Sequence, residues 1–122
     1  MKNAVVWSEI AVSDLKRATV FYEKLLDGKL KQESFGPFRL ALFPHSQDGV
    51  GGCLMQGEGY EPSASGTLTY LAATPGIDAA LERARAAGAK VLMPKTALPG
   101  DAGFIAHVAD CEGNRIGLHA LS

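Results

Sequence analysis

The sequence predicts an α+β domain made of two copies of one unit, each a strand, a helix and three further strands. A strand-like segment and an amphipathic run end at Gly28, and a similar pair ends at Gly88, 60 residues later in a chain of 122. Each amphipathic run is followed by three short apolar segments, which turn residues separate. A period of half the chain indicates two supersecondary units that share one core. We expect a ligand to bind on the concave surface between them.

Module one spans about residues 1–57. Apolar and alternating residues 4–12 predict its first strand. Ser13 is expected to cap the following helix, with Asp14 in the first turn, where the helix dipole favours a carboxylate. Asp27-Gly28 is typical of a helix C-terminus. Three more strands are expected over residues 29–35, 38–43 and 51–56.

Module two spans about residues 67–122, after a Gly, Ser and Pro-rich linker over residues 57–66. Residues 67–73 predict its first strand. Thr74 is expected to cap the second helix, with Pro75 at the first helical position, where its missing N–H needs no partner. Gly88 ends that helix, and the last three strands are expected over residues 90–95, 103–109 and 115–121.

The composition is that of an ordinary globular protein. Hydrophobic residues make up 47% and charged residues 20%, and the net charge is −1 with both signs interspersed. This balance argues against a nucleic-acid partner, which would require a basic stripe. We expect one domain over residues 1–122, no membrane association and a cytoplasmic location, because no signal-like or membrane-spanning segment is present. The separated Cys53 and Cys111 are expected to be free thiols rather than zinc ligands.

Four segments of the chain resemble the vicinal oxygen chelate superfamily, which includes glyoxalase I, bleomycin-resistance proteins and extradiol dioxygenases. The segments that carry the resemblance are residues 9–18, 21–23, 88–91 and 110–118, the last with Asp110, Glu112, Gly113 and Asn114 leading into the final strand. The resemblance implies paired βαβββ modules whose mixed sheet curls into a cup, with the helices outside. It also implies a homodimer.

Metal-dependent members of this superfamily place a ligand in the first strand and in the last strand of each module. The matching positions here are Trp7 and Thr69 in the first strands, Gly117 in the last strand of module two, and a position near Cys53 in module one. A divalent metal needs convergent imidazole or carboxylate donors. We therefore expect neither a metal nor another cofactor.

Strand alternation indicates which side chains face the cup, because residues two apart share a face. If Trp7 takes the ligand position, Glu9 points inward beside it. The other residues expected to face inward are Cys53, Met55, Thr67, Thr69, Leu71, Arg115, Gly117 and His119. The direction of His107 is left open.

Two of these residues are the catalytic candidates, Glu9 and His119, and four are the ligand-binding candidates, Trp7, Cys53, Thr69 and Arg115. A carboxylate beside an indole could act as a general acid or base. Alternatively, Glu9 is solvated, or paired with Arg39 or Arg115. His119 is either a proton carrier or a surface residue. Trp7 is either a stacking platform or a plug, and Cys53 has no visible base to make it a nucleophile.

The leading hypothesis is a metal-independent member of the group that binds a small polar organic molecule, with catalysis left open. One alternative is a glyoxalase-type lyase or a dioxygenase-like enzyme whose metal is held by Glu9 and His119. Another is a drug-sequestering protein. At 7% aromatic residues and near-neutral charge, the chain has little of the acidic aromatic groove that such a protein uses.

Overall fold

The computed structural model describes residues 2–122 and confirms the α+β fold with two βαβββ modules. The elements of module one are β1 (Trp7–Ala11), α1 (Leu15–Leu26), β2 (Lys31–Phe35), β3 (Phe38–Leu42) and β4 (Gly51–Gln56). Those of module two are β5 (Tyr70–Ala72), α2 (Ile77–Ala86), β6 (Lys90–Ala97), β7 (Phe104–Ala109) and β8 (Arg115–Ala120). Within residues 2–122, neither helix is long and apolar enough to cross a membrane.

Both modules have the same sheet topology. The strand order is β1-β4-β3-β2 in module one and β5-β8-β7-β6 in module two. In each sheet the first strand pairs in parallel with the last strand of its own module, and the other pairs are antiparallel. The sheets are therefore mixed, and the repeat in the sequence corresponds to a repeat in the structure.

Each helix covers one face of its sheet. In α1 the buried residues are Leu15, Ala18, Phe21, Tyr22 and Leu25, which recur at helical spacing and form one apolar stripe. This stripe packs into a single core that includes residues from both modules. The face of each sheet that carries no helix is called the open face below.

A buried hydrogen-bond network joins the two modules within one chain. The Tyr22 hydroxyl on α1 donates to the Asp110 carboxylate at the closing turn of module two. The side-chain amide of Asn114 donates to the Ala11 carbonyl oxygen at 2.8 Å and to Asp110 at 3.0 Å. Buried polar groups need such partners. These hydrogen bonds connect module one to the closing turn of module two.

Glu112 on the same turn binds the N-terminus of α1. Its side chain is 1% exposed and accepts hydrogen bonds from the backbone N–H groups of Ser13 and Asp14, at 3.0 and 2.9 Å, and from the Arg17 guanidinium at 2.9 Å. Burial would raise the pKa of Glu112, but the hydrogen bonds from Ser13, Arg17 and Asp14 outweigh it and lower the pKa to about 2. The carboxylate therefore stays charged and complements the helix dipole.

The N-terminus of α1 corrects one prediction. Asp14, not Ser13, is the N-cap, and its carboxylate accepts a hydrogen bond from the backbone N–H of Arg17 at 3.1 Å. The Ser13 hydroxyl donates to Glu112 instead. The Ser13 hydroxyl does not cap the helix because it is bound to this carboxylate, which lies 99 residues later in the chain.

The start of α2 corrects another prediction. The N-cap is Gly76 rather than Thr74, so Pro75 lies outside the helix, after a cis peptide bond with Thr74. The Ile77 N–H donates to an oxygen of Ser122 at 2.9 Å, which replaces a side-chain cap.

Two strands begin three residues later than the sequence predicted. β1 starts at Trp7 rather than at residue 4. Trp7 is the residue that pairs with Gly51, the first residue of β4. β5 starts at Tyr70 rather than at Thr67, because it pairs with β8 over only three residues.

Candidate ligand-binding site

The open face of module one is a largely apolar surface with two carboxylates, Glu9 and Glu33. Trp7 is level with Gly51 across the β1–β4 pair, and a Cβ atom at Gly51 would lie 2.8 Å from Cζ3 of the indole. The absence of a side chain at Gly51 lets the ring lie close to the sheet. A cavity of about 290 Å³ on this face is lined by Trp7, Glu9, Glu33, Ser34, Phe35, Leu40, Leu42, Cys53 and Met55.

Glu9 shares this face with Trp7, as strand alternation predicted. It is exposed, and the Tyr60 hydroxyl donates to its carboxylate at 2.8 Å. This hydrogen bond is the main reason why the pKa of Tyr60 is raised. Among residues 2–122, Glu9 forms no ion pair with Arg39 or Arg115, the partners that the alternative interpretation named.

Cys53 faces this surface, as strand alternation predicted, but neighbouring side chains cover it. The residue is 0% exposed and is level with Glu9 on the neighbouring strand. Burial, together with the negative charge of Glu9, raises the pKa of the thiol to about 11. A protonated buried thiol is a poor nucleophile. Cys53 and Cys111 are both free, as expected.

The open face of module two repeats the aromatic-over-glycine arrangement. Tyr70 is level with Gly117 across the β5–β8 pair, and a Cβ atom at Gly117 would lie 2.4 Å from Cδ1 of the Tyr70 ring. Tyr70 Oη lies 2.7 Å from Nε2 of His107, whose Nδ1 lies 3.1 Å from an Nη atom of Arg115. Burial, and then the charge of Arg115, lower the pKa of His107. His107 therefore lies on the open face, which settles the direction that the sequence left open.

His119 lies further along the same face. Its Nε2 is 2.7 Å from the Ala102 carbonyl oxygen. A carbonyl oxygen only accepts, so Nε2 carries the hydrogen and the neutral ring has Nδ1 as its acceptor. A cavity of about 620 Å³ is lined by Tyr70, Leu71, Ala72, Leu98, Ile105 and His119.

Strand β1 of module one approaches the residue just before β5 of module two. The hydroxyls of Ser8 and Thr69 are 3.1 Å apart across the junction. A cavity of about 870 Å³ at this junction has Trp7, Glu9, Thr69 and Tyr70 in its lining. A smaller cavity of about 140 Å³ is shared by Glu9, Thr69 and Arg115. The structure thus brings Trp7, Glu9, Thr69 and Arg115 to one connected surface, with His119 on the adjoining cavity.

Comparison with known proteins identifies the family. The family model of the Glyoxalase/Bleomycin resistance protein/Dioxygenase superfamily matches residues 4–118. The chain belongs to this superfamily.

Solved structures show the same superfamily fold. A glyoxalase I mutant from Zea mays is 23% identical with a TM-score of 0.73, and the match covers 94% of this chain and 46% of the maize protein. The chain thus spans about half the length of that glyoxalase I. A family enzyme from Burkholderia phytofirmans PsJN is 16% identical with a TM-score of 0.70, over 96% of this chain and 98% of the other. No protein of curated function matches the chain significantly.

The metal that other superfamily members bind does not fit the residues present here. The ligand positions named from the sequence hold Trp7 and Thr69 in the first strands, Gly117 in the last strand of module two, and Cys53 in that of module one. An indole and a glycine offer no side-chain donor, and one hydroxyl with one buried thiol is not a site for a divalent cation. Nowhere in residues 2–122 do three or more His, Cys, Asp or Glu side chains cluster in a way that could hold a metal.

The phase predicted for β5 is wrong by one residue. Thr67, Thr69 and Leu71 were expected to face inward together, but Leu71 packs against the main core and Tyr70 lies over Gly117. Thr69 still reaches the junction through Ser8, just before the strand begins. Sequence reasoning also missed Tyr60 as the partner of Glu9.

Proposed function

We propose that this superfamily member binds a small polar organic molecule on the open faces of its sheets and holds no divalent metal there. The observation that carries the proposal is that each module places an aromatic ring over a glycine between its first and last strands, Trp7 over Gly51 and Tyr70 over Gly117. The two rings provide an apolar surface against which a ligand can pack. The adjoining cavities of about 620 and 870 Å³ lie in the range of small-molecule sites.

Polar groups around the two aromatic rings recognise the ligand in this proposal. In this proposal Glu9 accepts a hydrogen bond or a proton from the ligand, and the Thr69 hydroxyl binds it at the module junction. Arg115 provides positive charge on the opposite wall, and Nδ1 of His119 accepts a further hydrogen bond. Cys53 contributes packing under Trp7 rather than chemistry. Turnover, with Glu9 and His119 exchanging protons with the ligand, is an extension of the binding proposal.

A thermal-shift screen of metabolites and divalent cations tests this function. Protein purified without chelators is analysed for its metal content and screened. A ligand at a hundredfold excess over its Kd stabilises the fold by about 2.7 kcal/mol. Glu9→Gln should weaken the binding of a metabolite found in this way by about 1.5–3 kcal/mol, the range for a hydrogen bond to a charged group. Glu58→Gln, at an exposed position outside these cavities, is the control.

Two results would contradict the proposal. The first is near-stoichiometric Zn, Ni, Fe or Mn that is lost on mutating Glu9 or His119, which would support the metal-dependent lyase or dioxygenase alternative. The second is a screen in which no metabolite stabilises the protein.

We also propose that the protein is a cytoplasmic homodimer. Strand β2 is an exposed edge of its sheet and ends at Phe35, whose side chain is 71% exposed. Such an edge is a surface that a second chain can cover. Free thiols at Cys53 and Cys111 suit a reducing compartment. Light scattering that gives the 12.8 kDa monomer mass at high micromolar concentration would contradict the dimer.

A further inference from the structure

We propose that Tyr70, His107 and Arg115 form a hydrogen-bond relay that binds an oxygen anion of the ligand, with the Tyr70 hydroxyl as the donor. This inference rests on the proposed function and adds the class of ligand. That class is a planar organic anion with its charge on oxygen, such as a carboxylate, an enolate or a phenolate.

The direction of the relay follows from the chemistry of its members. The Arg115 guanidinium can only donate, so Nδ1 of His107, 3.1 Å away, must accept. A neutral imidazole then carries its hydrogen on Nε2, which donates to Tyr70 Oη at 2.7 Å. The hydroxyl of Tyr70 already receives one hydrogen bond, so its own proton is available for a ligand. The lowered pKa of His107 is consistent with a neutral ring in this role.

The charge of the relay favours an anion. Arg115 donates to a neutral ring, and none of the ion pairs within residues 2–122 involves Arg115. Its positive charge therefore has no carboxylate partner there. Glu9, which lines the small cavity with Arg115, lies on the other module and accepts a hydrogen bond from Tyr60, and Glu61, also in that lining, forms no ion pair with Arg115. The module-two wall thus carries the positive charge of the site.

The position of Tyr70 gives the relay access to a ligand. The Tyr70 side chain is 44% exposed and lines both the cavity of about 620 Å³ and the junction cavity of about 870 Å³. Its ring is seated on Gly117, and the bond to His107 holds its hydroxyl. A preorganised donor of this kind binds an oxyanion more strongly than a mobile one.

Three planar probes that differ mainly in charge test the proposal: benzoate, benzamide and benzamidine. Trp7 is the only tryptophan of the chain and lines the junction cavity with Tyr70, so its fluorescence reports binding. Benzoate should bind tightest, benzamide more weakly and benzamidine weakest. Tyr70→Phe keeps the ring over Gly117 and should weaken benzoate about tenfold or more, equivalent to about 1.4 kcal/mol. Arg115→Gln should weaken it similarly, whereas Arg85→Gln, at an exposed position on α2, should not.

The tautomer of His107 tests the direction of the relay. Nitrogen NMR of the imidazole should show the hydrogen on Nε2 in the wild-type protein. A hydrogen on Nδ1, tighter binding of benzamidine than of benzoate, unchanged benzoate binding in Tyr70→Phe, or no benzoate binding at millimolar concentration would each overturn the relay. None of these results bears on the metal analysis or the metabolite screen, which alone decide the proposed function.

Discussion

The Glu112 carboxylate of module two lies 2.9 Å from the Arg17 guanidinium at the start of α1 in module one. The same carboxylate accepts the backbone N–H groups of Ser13 and Asp14. One side chain thus completes a helix terminus in the other half of the molecule. Its charge contributes to stability only while it is ionised, which links the module junction to pH.

The first prediction concerns acid stability. The folded pKa of Glu112 is about 2 and its ordinary value is 4.5, so the unfolded chain binds the proton at higher pH. The stabilising contribution is fully present above about pH 4.5 and is lost as the pH falls towards 2. The difference corresponds to about 3 kcal/mol in the free energy of unfolding.

Urea unfolding at several pH values measures this effect. Glu112→Gln should lower the free energy of unfolding at pH 7 and flatten its dependence on acid pH. Glu82→Gln, at an exposed position of α2, is the matched control and should keep the wild-type profile. An equally steep profile in Glu112→Gln would show that other carboxylates cause the acid sensitivity.

The second prediction concerns the Glu9–Tyr60 pair. Glu9→Gln should change the free energy of unfolding by less than about 0.5 kcal/mol, because the carboxylate is exposed. It should also lower the pKa of Tyr60 towards its ordinary value, since the hydrogen bond to Glu9 is the main cause of the rise. NMR titration of labelled tyrosines measures both Tyr60 and Tyr22. The pKa of buried Tyr22 should stay raised, and a loss of several kcal/mol of stability would instead make Glu9 a structural residue.

The third prediction compares two adjacent glycines on β4. A Cβ atom at Gly52 would lie 2.6 Å from the Ser8 carbonyl oxygen, so Gly52→Ala should destabilise the fold by about 1–3 kcal/mol. At Gly51 the nearest atoms belong to the side chains of Trp7 and His45, which can move. Gly51→Ala should cost less than about 1 kcal/mol and shift the fluorescence of Trp7. Equal losses of stability in the two variants would show that Trp7 is held rigidly.

The fourth prediction concerns thiol reactivity. Burial raises the pKa of both Cys53 and Cys111 to about 11, so both thiols are protonated at neutral pH. A disulfide reagent at pH 8 should label the folded protein slowly and the urea-unfolded protein fast. In Cys111→Ser, the remaining thiol, Cys53, should be labelled more slowly than Cys111 is in Cys53→Ser, because Cys53 is 0% exposed. Rapid labelling of Cys53 in the folded protein would indicate an opening of the sheet at β4.

The sequence predicted the repeat and the element order because both depend on local patterns. Helical spacing identified the buried stripe of α1, and glycine and proline marked the turns. The predicted helix caps were wrong, because partners that are distant in sequence take part at both helix starts. Glu112 binds Ser13, and Ser122 accepts the hydrogen bond of Ile77. The prediction of which β5 residues face inward was wrong, because a three-residue strand is too short for alternation to fix its register. The pairing of Tyr60 with Glu9 crosses 51 residues and has no local signal.

The aromatic-over-glycine pairs, Trp7 with Gly51 and Tyr70 with Gly117, have a consequence for how such a site diversifies. A pocket assembled from two identical subunits must carry the same group twice, so each substitution changes both walls at once. Fusion of two modules in one chain removes that constraint. Here each module has its own aromatic ring over a glycine, while module one contributes Glu9 and module two Arg115 to one small cavity. Two modules of the same sheet topology, joined in one chain, thus allow an asymmetric pocket with a carboxylate on one side and a guanidinium on the other.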